Sequence, residues 1–545
     1  MIVAEAVGRA LAACGVGTAF GVVGSGNFHV TNALVAHGVR YVAARHEGGA
    51  ATMADAYARM SGRAGVVSVH QGPGLTNAMT GLTEAAKSRT PLIVVAGEAT
   101  EPQSNFHIDQ AALATAVGAV PMRVTEAGSA VAVAVAVEAY RVAVEERRTV
   151  LLNLPLDVQT APCDAVPPPA GASASSGAEP SVTSSASVAE LRRLLAAAER
   201  PVFIAGRGAR HARRELEELA GRAGALLATS AVAKGLFRGS PWDLDVSGGF
   251  ATPLAVELIR GADLVVAWGC ALNMWTSRHG SLVSPGTKVA KVDLDPGVFT
   301  THVPADVGVA GDVAAVARSL ADLPAASGYR SPEVGHRIRE EGRWRAVPYA
   351  DESGGGRIDP RTLTIGLDDL LPQERIVAID SGNFMGYPSM FLEVPDEGGF
   401  CFTQAFQSIG LGLATAIGAA VARPDRLPVA ALGDGGALMG LAELETVVRL
   451  GLPMVVVVYD DEAYGAEVHH FGPHGHPLGT VTFPPADLAA IARGHGFAAV
   501  TVTGEGDLAG VAEWLKGPRD RPLLVHAKVT RERGSWWLEE AFRGH

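Results

Sequence analysis

The sequence predicts an α/β protein made of three domains, each built on a doubly wound parallel sheet. The chain has 545 residues, which is too long for one hydrophobic core and fits about three domains. It is 48% hydrophobic and contains 65 Gly and 32 Pro, a composition typical of packed α/β layers with many turns between strands and helices. Two polar or low-complexity joints, at about 167–187 and 331–357, place the domains at 1–165, 188–330 and 358–545.

The middle segment shows the alternation of strands and helices most plainly. The predicted strands lie at 201–205, 226–229, 263–268 and 288–293. A predicted helix at 212–224 separates the first two strands, and another at 253–259 separates the second and third. A strand, a crossover helix and a second strand pair in parallel, with right-handed connections. A doubly wound parallel sheet therefore follows for this segment.

Charge and hydropathy exclude several kinds of partner. The formal net charge of −12 is spread along the chain, which argues against nucleic acid and acidic membrane surfaces as partners. No window approaches about 18 uninterrupted apolar residues, and the first residues lack the basic segment of a signal peptide. The four cysteines (Cys14, Cys163, Cys270 and Cys401) lie far apart in the sequence and are expected to be reduced. These features predict a cytoplasmic protein.

A glycine-rich turn in the last third of the chain predicts a diphosphate and metal site. Gly433, Asp434, Gly435 and Gly436 follow one another, and such a turn exposes backbone N–H groups that can hold phosphate oxygens. Asp434 supplies a hard oxygen ligand for Mg²⁺, and Asp461 follows 27 residues later. An intervening helix and strand would place the two carboxylates at the carboxyl ends of neighbouring strands. The alternative is an ordinary glycine turn with an unrelated acidic turn downstream.

A second pattern lies near the N-terminus. Glu47 opens a helix of small residues, a strand follows at 65–69, and the stretch from Gly72 through Pro73 to Asn77 comes next. Taken alone, a Glu at this position is more commonly an acid that interacts favourably with a helix N-terminus.

Together the two patterns resemble the thiamine diphosphate (ThDP) enzymes, most closely the superfamily of acetolactate synthase, benzoylformate decarboxylase and pyruvate decarboxylase. The resemblance implies that the outer domains bind the pyrimidine and the diphosphate of ThDP. It implies that Asp434, Asp461 and the carbonyl of Ala463 bind Mg²⁺. Glu47 then corresponds to the acid that hydrogen-bonds the aminopyrimidine and activates the cofactor. Asp460 stands where the family usually has Asn, and its extra charge should make metal binding fall more steeply at low pH.

Further cofactor contacts are implied by the same resemblance. Pro73 and Asn77 belong to the pyrimidine-binding pattern. Gly382 and Asn383, after a predicted strand at 376–380, match a loop that lies against the diphosphate, although a plain strand-end turn is the alternative. Two more residues match positions that contact the ring system: the carbonyl of Gln407 would accept a hydrogen bond from N4′, and Ile409 would support the bent cofactor. The alternative for Ile409 is an ordinary core residue.

Candidate substrate residues match different branches of the superfamily. Ser25 and His70 occupy positions that contact substrate in benzoylformate decarboxylases. Glu467, six residues after Asp461, matches a catalytic Glu of pyruvate decarboxylases. Gln110 resembles an active-site Gln of acetolactate synthases. For Ser25 and His70 the alternative is a turn or surface residue, and for Glu467 it is an acid on an exposed helix face.

The expected function is ThDP- and Mg²⁺-dependent decarboxylation of a 2-oxo acid, with aldehyde release or carboligation. A 2-hydroxyacyl-CoA lyase and a non-catalytic ThDP-binding protein are the alternatives. The segment 270–276 lacks the pattern with which acetolactate synthases bind FAD, which makes FAD doubtful. The resemblance also implies a homodimer or homotetramer with active sites at the subunit interface, where Glu47 and Asp434 of different subunits serve one cofactor.

Overall fold

The computed structural model describes residues 1–165 and 185–541, and it confirms the predicted fold class. Three sheets, each of six parallel strands, follow one another along the chain. Each sheet has apolar clusters on both faces: Val66 and Val67, which are neighbours on one strand, belong to clusters on opposite faces of the first sheet. Strands that are buried on both faces explain the continuous apolar runs in the sequence.

The N-terminal domain has the strand order β2-β1-β3-β4-β6-β5. Its strands are β1 Thr18–Gly21, β2 Arg40–Ala43, β3 Gly65–Val69, β4 Leu92–Glu98, β5 Val120–Arg123 and β6 Thr149–Pro155. Its helices are α1 Val3–Ala13, α2 Phe28–Ala36, α3 Glu47–Ser61, α4 Pro73–Lys87, α5 Gln110–Ala116, α6 Ser129–Glu145 and α7 Leu156–Gln159.

The middle domain has the order β12-β11-β10-β7-β8-β9. Its strands are β7 Pro201–Ala205, β8 Leu226–Thr229, β9 Asp243–Val246, β10 Leu264–Trp268, β11 Lys288–Asp293 and β12 Val307–Ala310. Its helices are α8 Ser185–Ala197, α9 Arg213–Ala223, α10 Pro253–Arg260, α11 Met274–Ser277 and α12 Val313–Ser319. The sequence analysis missed β9 and β12, the two edge strands.

Most of the first predicted joint lies outside the described residues, and α8 takes up its last residues. The second joint is not simply a linker, because it contains α13 (Pro332–Glu341). Ser331 caps this helix by accepting the N–H of Val334, Pro332 starts it, and Ile338 is buried. A capped, amphipathic helix therefore forms where composition suggested a spacer.

The C-terminal domain has the order β14-β13-β15-β16-β18-β17. Its strands are β13 Arg375–Ile379, β14 Phe400–Phe402, β15 Leu427–Gly433, β16 Val455–Asp460, β17 Ala498–Val502 and β18 Leu523–Lys528. Its helices are α14 Pro360–Leu370, α15 Gly386–Phe391, α16 Gly412–Ala422, α17 Asp434–Met439, α18 Glu443–Arg449, α19 Gly465–Phe471, α20 Leu488–Gly494, α21 Ala509–Lys516 and α22 Trp536–Ala541.

The outer two domains pack directly on each other through α3 and α16. The helices approach so closely that a Cβ atom on Gly418 would lie 2.1 Å from the carbonyl oxygen of Met53. The small residues of both helices make this approach possible. Within the described ranges, no helix is long and apolar enough to cross a membrane. The four cysteines are free, as predicted.

Candidate active site

Asp434 of the glycine turn and Asp461 lie at the ends of adjacent strands, as predicted. β15 ends at Gly433 and β16 ends at Asp460, and the two strands pair in parallel with Gly433 opposite Tyr459. Asp434 and Asp461 are therefore the first residues beyond these two strands, and both are largely buried. The carboxyl ends of neighbouring parallel strands are the usual ligand position in such sheets.

The electrostatics of this pair indicate a site for a cation. Burial, together with repulsion from Asp461 and Asp460, raises the pKa of Asp434 to about 8. Burial raises the pKa of Asp461 to about 6. Among the described residues, no Lys or Arg forms an ion pair with either group. Two buried carboxylates without a compensating charge are hard oxygen donors of the kind that Mg²⁺ binds.

Asp460, unlike its neighbour Asp461, is paired with basic side chains. Its Oδ2 lies 2.6 Å from both His526 Nε2 and Lys528 Nζ. Burial alone would raise the pKa of Asp460, but these hydrogen bonds outweigh it and lower that pKa. Lys528 therefore offsets much of the charge that the sequence analysis assigned to the metal site.

The turn after Asp461 is held by hydrogen bonds on both sides. Glu462 has a left-handed backbone, with φ +59°. Its carbonyl accepts the N–H of Phe483 (2.9 Å), and the N–H of Tyr464 binds the carbonyl of Val481 (2.8 Å). Ala463 lies between these bonds, and its N–H donates to Asp461. In the part of the chain that the structure describes, no three His, Cys, Asp or Glu side chains form a metal-binding group. A third protein ligand would therefore come from the backbone, as the prediction for Ala463 requires.

Glycines form a cradle beside these carboxylates. Gly382 has φ +135°, a conformation that favours glycine. A Cβ atom on Gly435 would lie 2.6 Å from Cε1 of Tyr464, and one on Gly436 would lie 2.2 Å from Oδ2 of Asp380. Neighbouring side chains therefore leave room only for glycine at both positions. A glycine turn between a strand and a helix N-terminus is the kind of turn that holds phosphate oxygens through backbone N–H groups, so the residues present fit a diphosphate.

Asn383 links this cradle to the metal site and to the C-terminal helix. Its side chain donates to the carboxylate of Asp461. In turn it accepts from Ser535, whose Oγ lies 2.5 Å from its Oδ1, and its carbonyl accepts from Nε1 of Trp537 at 3.1 Å. The tail of the chain thus fixes a residue that was predicted to contact the cofactor.

The sequence analysis missed Asp380. It is only 1% exposed, directly follows β13 and accepts the N–H groups of Ser381 and Gly410, both at 2.9 Å. Burial raises its pKa to about 6. Asp380 therefore joins the turn at Gly382 to the turn at Gly410, and it also touches Gly436. An Asp as the last residue of a predicted strand was the only signal available in the sequence.

A cavity of about 260 Å³ opens beside Asp434 and Gly435. Leu438, Met439 and Phe483 supply its apolar wall. All of its lining residues, within the described chain, belong to the C-terminal domain. A larger cavity of about 370 Å³ lies between α9 and α12 of the middle domain and contains none of the predicted site residues.

The N-terminal domain brings a second group of predicted residues together. Glu47 begins α3 after β2, and its Oε2 accepts from Nδ2 of Asn77 at 3.0 Å. His46 caps the same helix by accepting the N–H of Gly48. Pro73 begins α4, where Pro73 and Asn77 are exposed. The acid and the amide predicted to contact the pyrimidine are thus already in contact with each other.

His70 and the Ser25 turn lie next to this pair. Nδ1 of His70 accepts the N–H of Gly26 at 3.2 Å, and Gly24 packs on the same ring. Ser25 is exposed between these two glycines. Burial lowers the pKa of His70, although the charge of Glu47 acts in the opposite direction. The ring is therefore neutral at pH 7, and its proton is on Nε2.

Gln110 is placed differently from the other candidates. It is 1% exposed, and its Oε1 accepts the N–H of Gly72 at 3.2 Å. Its Nε2 donates to the carbonyl of Gly97 at 3.0 Å and to Oδ1 of Asn153 at 2.7 Å. Gln110 therefore supports the turn that starts α4, and its contact with a substrate stays a prediction. Glu467 lies half-buried in the first turn of α19, on the metal side of the site.

The remaining cofactor candidates lie between β14 and α16. Gln407 has a left-handed backbone with φ +60°, and Ile409 is half-buried.

In the middle domain, the turns after β7 and β10 contact each other where the strand order reverses. Gly208 N donates to Gly269 O at 3.1 Å, and a Cβ atom on Gly206 would lie 2.3 Å from that oxygen. The doubt about FAD rests on the sequence pattern at 270–276 alone.

Comparison with known proteins finds family models that match all three domains. Residues 1–116 match the family model of the thiamine pyrophosphate enzyme N-terminal TPP binding domain, residues 188–320 its central domain and residues 380–527 its C-terminal TPP binding domain. A probable 2-ketoarginine decarboxylase of Pseudomonas aeruginosa is 30% identical, over 91% of this chain and 88% of the relative. The large subunit of acetolactate synthase isozyme 2 from Escherichia coli is 27% identical, over 98% of this chain and 97% of the relative.

A solved structure supports the fold. The thiamine diphosphate-dependent 4-hydroxybenzoylformate decarboxylase of Rhodococcus jostii RHA1 superposes with a TM-score of 0.81 at 23% identity, covering 98% of this chain and all of that one. At this identity the likeness concerns the fold alone, whereas the family models and the Pseudomonas relative identify the family. The chain therefore belongs to the superfamily of thiamine diphosphate-dependent enzymes that includes the acetolactate synthases and the 2-oxo acid decarboxylases.

Proposed function

We propose that this enzyme uses ThDP and Mg²⁺ to decarboxylate a 2-oxo acid, and that it then releases an aldehyde or joins the remaining fragment to an acceptor carbonyl. The observation that carries the proposal is the pair of buried carboxylates, Asp434 and Asp461, beside a glycine cradle at adjacent strand ends. The names of the relatives, which include a 2-oxo acid decarboxylase and an acetolactate synthase, support the substrate class.

The residues that would bind the cofactor come from both outer domains. Mg²⁺ would be held by Asp434, Asp461 and the carbonyl of Ala463. The diphosphate would contact Gly382, Asn383, Gly433, Gly435 and Gly436, and the pyrimidine would contact Glu47, Pro73, Asn77, the carbonyl of Gln407 and Ile409. When bound, ThDP supplies a nucleophilic carbon and an electron sink for the departing CO₂.

The chain's own residues would handle the protons. Glu47, oriented by Asn77, holds the proton that is exchanged with the pyrimidine ring. His70 is neutral and carries its proton on Nε2, so it can donate to a product or intermediate carbon or oxygen. Ser25 and Glu467 line the substrate side from opposite domains, and Gln110 fixes the turn that starts α4.

We also propose a homodimer or homotetramer in which Glu47 of one subunit meets Asp434 of another. Two observations support it. Within the described residues, the cavity beside Asp434 is lined by one domain only, and Glu47 makes its side-chain contact within its own domain. Each chain thus presents two open half-sites.

The lyase alternative receives no support from the tail. A coenzyme A ester would need a basic pocket, but the exposed Arg531 and Arg533 each pair with a carboxylate, Glu462 at 2.7 Å and Glu352 at 2.9 Å, and neither lines one of the two cavities described above. The non-catalytic alternative is disfavoured because Glu47 and Asn77 are both present and in contact.

The proposal is tested with purified protein, ThDP, Mg²⁺ and a panel of aliphatic, aromatic and guanidino 2-oxo acids. CO₂ release from one class, lost when ThDP is omitted, is the expected result. Product analysis then distinguishes an aldehyde from an acyloin. No CO₂ release from any acid by protein that demonstrably binds ThDP would overturn the decarboxylase proposal.

A further inference from the structure

The short segment between β14 and α16 has a conformation that its own sequence does not explain. Gln407 is left-handed, with φ +60°, although it is not a glycine or asparagine. Such a conformation persists only when surrounding contacts fix it. The same segment contains Ile409, so its conformation determines where both predicted cofactor contacts lie.

A carboxylate from the other outer domain holds this segment. Glu84, near the end of α4, is 1% exposed. Its Oε1 accepts the N–H of Ala405 at 3.0 Å, and its Oε2 accepts the N–H of Phe406 at 2.6 Å. Two consecutive amides on one buried carboxylate fix the chain immediately before Gln407. Hydrogen bonds to an ionised acceptor are the strong kind.

Arg59 of α3 completes this contact. One of its nitrogens lies 2.8 Å from Glu84 Oε1, and another donates to the carbonyl of Phe402 at 2.9 Å. Its Nε donates to Asp55 at 3.0 Å. Arg59 therefore balances two buried carboxylates, of which only Glu84 touches the segment.

The far end of the segment is fixed independently. Asp380, within the C-terminal domain, accepts the N–H of Gly410 at 2.9 Å. The backbone is thus held at 405–406 from one domain and at 410 from the other, with Gln407 and Ile409 between the two points.

We infer that Glu84 is a positioning residue for the cofactor: by holding the amides of Ala405 and Phe406, it sets the left-handed conformation in which Gln407 presents its carbonyl and Ile409 its side chain. This inference rests on the proposed function, because it assumes that ThDP lies against this segment.

The test compares Glu84→Gln with a matched control, Asp55→Asn, in the full chain. Both variants remove one of the two carboxylates that pair with Arg59, but only Glu84→Gln affects the segment. Amide hydrogen exchange at 405–406 in the cofactor-free protein should be about 10-fold faster or more in Glu84→Gln, and unchanged in Asp55→Asn. The Gly410 amide should keep its protection in both. The dissociation constant for ThDP should rise about 10-fold in Glu84→Gln alone.

The outcomes separate the two proposals. If the wild-type protein binds no ThDP, both the proposed function and the cofactor contribution of Glu84 fail. If the wild type binds ThDP and Glu84→Gln matches it in affinity and in exchange at 405–406, only the inference about Glu84 is overturned. An equal loss in Asp55→Asn would also overturn it, because the effect would then be general destabilisation around Arg59. Should Glu84→Gln not fold, Glu84→Asp takes its place, because it keeps the charge beside Arg59 with a shorter reach. An intermediate loss of ThDP affinity is then expected, and wild-type affinity of this variant would contradict the inference.

Discussion

At the scale of single residues, the two half-sites hold carboxylates in opposite situations. Glu47 is partly exposed and already accepts a hydrogen bond from Asn77, as a group that exchanges a proton with a ligand requires. Asp434 and Asp461 are buried close together, and both pKa values are raised. A bound cation removes the cost of burying the charges of Asp434 and Asp461 together, whereas the contact between Glu47 and Asn77 needs no cation.

Replacing Glu47 by Gln should therefore affect catalysis without affecting the fold. We expect kcat to fall by about 10²–10⁴-fold, the usual contribution of a positioned acid or base, while ThDP still binds. Steady-state kinetics and a ThDP titration measure the two effects. Glu145→Gln, an exposed change on α6, serves as the control. Full turnover in Glu47→Gln would remove the central assignment of the N-terminal half-site.

The raised pKa values predict how the stability of the metal-free protein depends on pH. Asp434, with a pKa of about 8, and Asp461, with a pKa of about 6, hold protons more tightly when folded than in the unfolded chain. The folded state then binds more protons between about pH 4 and about pH 8, so the free energy of unfolding falls as the pH rises through this window. Thermal unfolding along a pH series measures it.

Two controls isolate this effect. Asp434→Asn should flatten the pH dependence, because the more strongly shifted group is gone. Mg²⁺ with ThDP should raise the stability of the wild type most at the alkaline end, where the carboxylates are ionised. A metal-free stability that rises steadily from about pH 5 to about pH 8, equally in both proteins, would contradict the assignment.

At the scale of elements, the glycine turn before α17 is fixed by contact with its neighbours. Gly436→Ala would bring a Cβ atom to 2.2 Å from Asp380, which is itself anchored by the amides of Ser381 and Gly410. We expect a loss of about 1–3 kcal/mol in the free energy of unfolding and weaker ThDP binding, since the cradle must shift. Gly494→Ala, at the end of α20 with nothing within 4 Å, is the matched control and should be near neutral. Wild-type ThDP affinity in Gly436→Ala would show that the cradle is less constrained than its geometry indicates.

Elements were predictable where periodicity and turn chemistry agreed. β7 and β8 have the predicted bounds, and the strands leading to Asp434 and Asp461 are neighbours as expected. β9 was missed because it is four residues long and alternates acidic with apolar positions, Asp245 being paired with Lys234. The contacts of Glu84 and Asp380 could not be read from the sequence, because their partners lie 321 and 30 residues away. Local patterns identify the residues of a site more readily than the residues that hold it in place.

At the scale of the whole molecule, the packing of α3 on α16 has a consequence for the site. Glu47 starts α3, while further along the same helix Arg59 contacts Glu84 and the carbonyl of Phe402. The helix therefore contributes its first residue to the pyrimidine half-site and its last turns to the support of the segment that carries Gln407. In a dimer with shared sites, these two ends of one helix belong to different active sites.

Shared sites predict complementation between two inactive variants. Glu47→Gln and Asp434→Asn chains, each carrying a different affinity tag, are co-expressed, and the mixed dimers are purified over both tags. If each cofactor lies between Glu47 of one chain and Asp434 of the other, one site of the mixed dimer contains both changes and the other contains neither. We expect about half of the wild-type activity per dimer, because one of the two equivalent sites is intact. Dimers of either variant alone should be inactive, and mixed-tag wild-type dimers give the reference. If both residues served a site within one chain, every site of the mixed dimer would carry one change and its activity would stay at the level of the single variants.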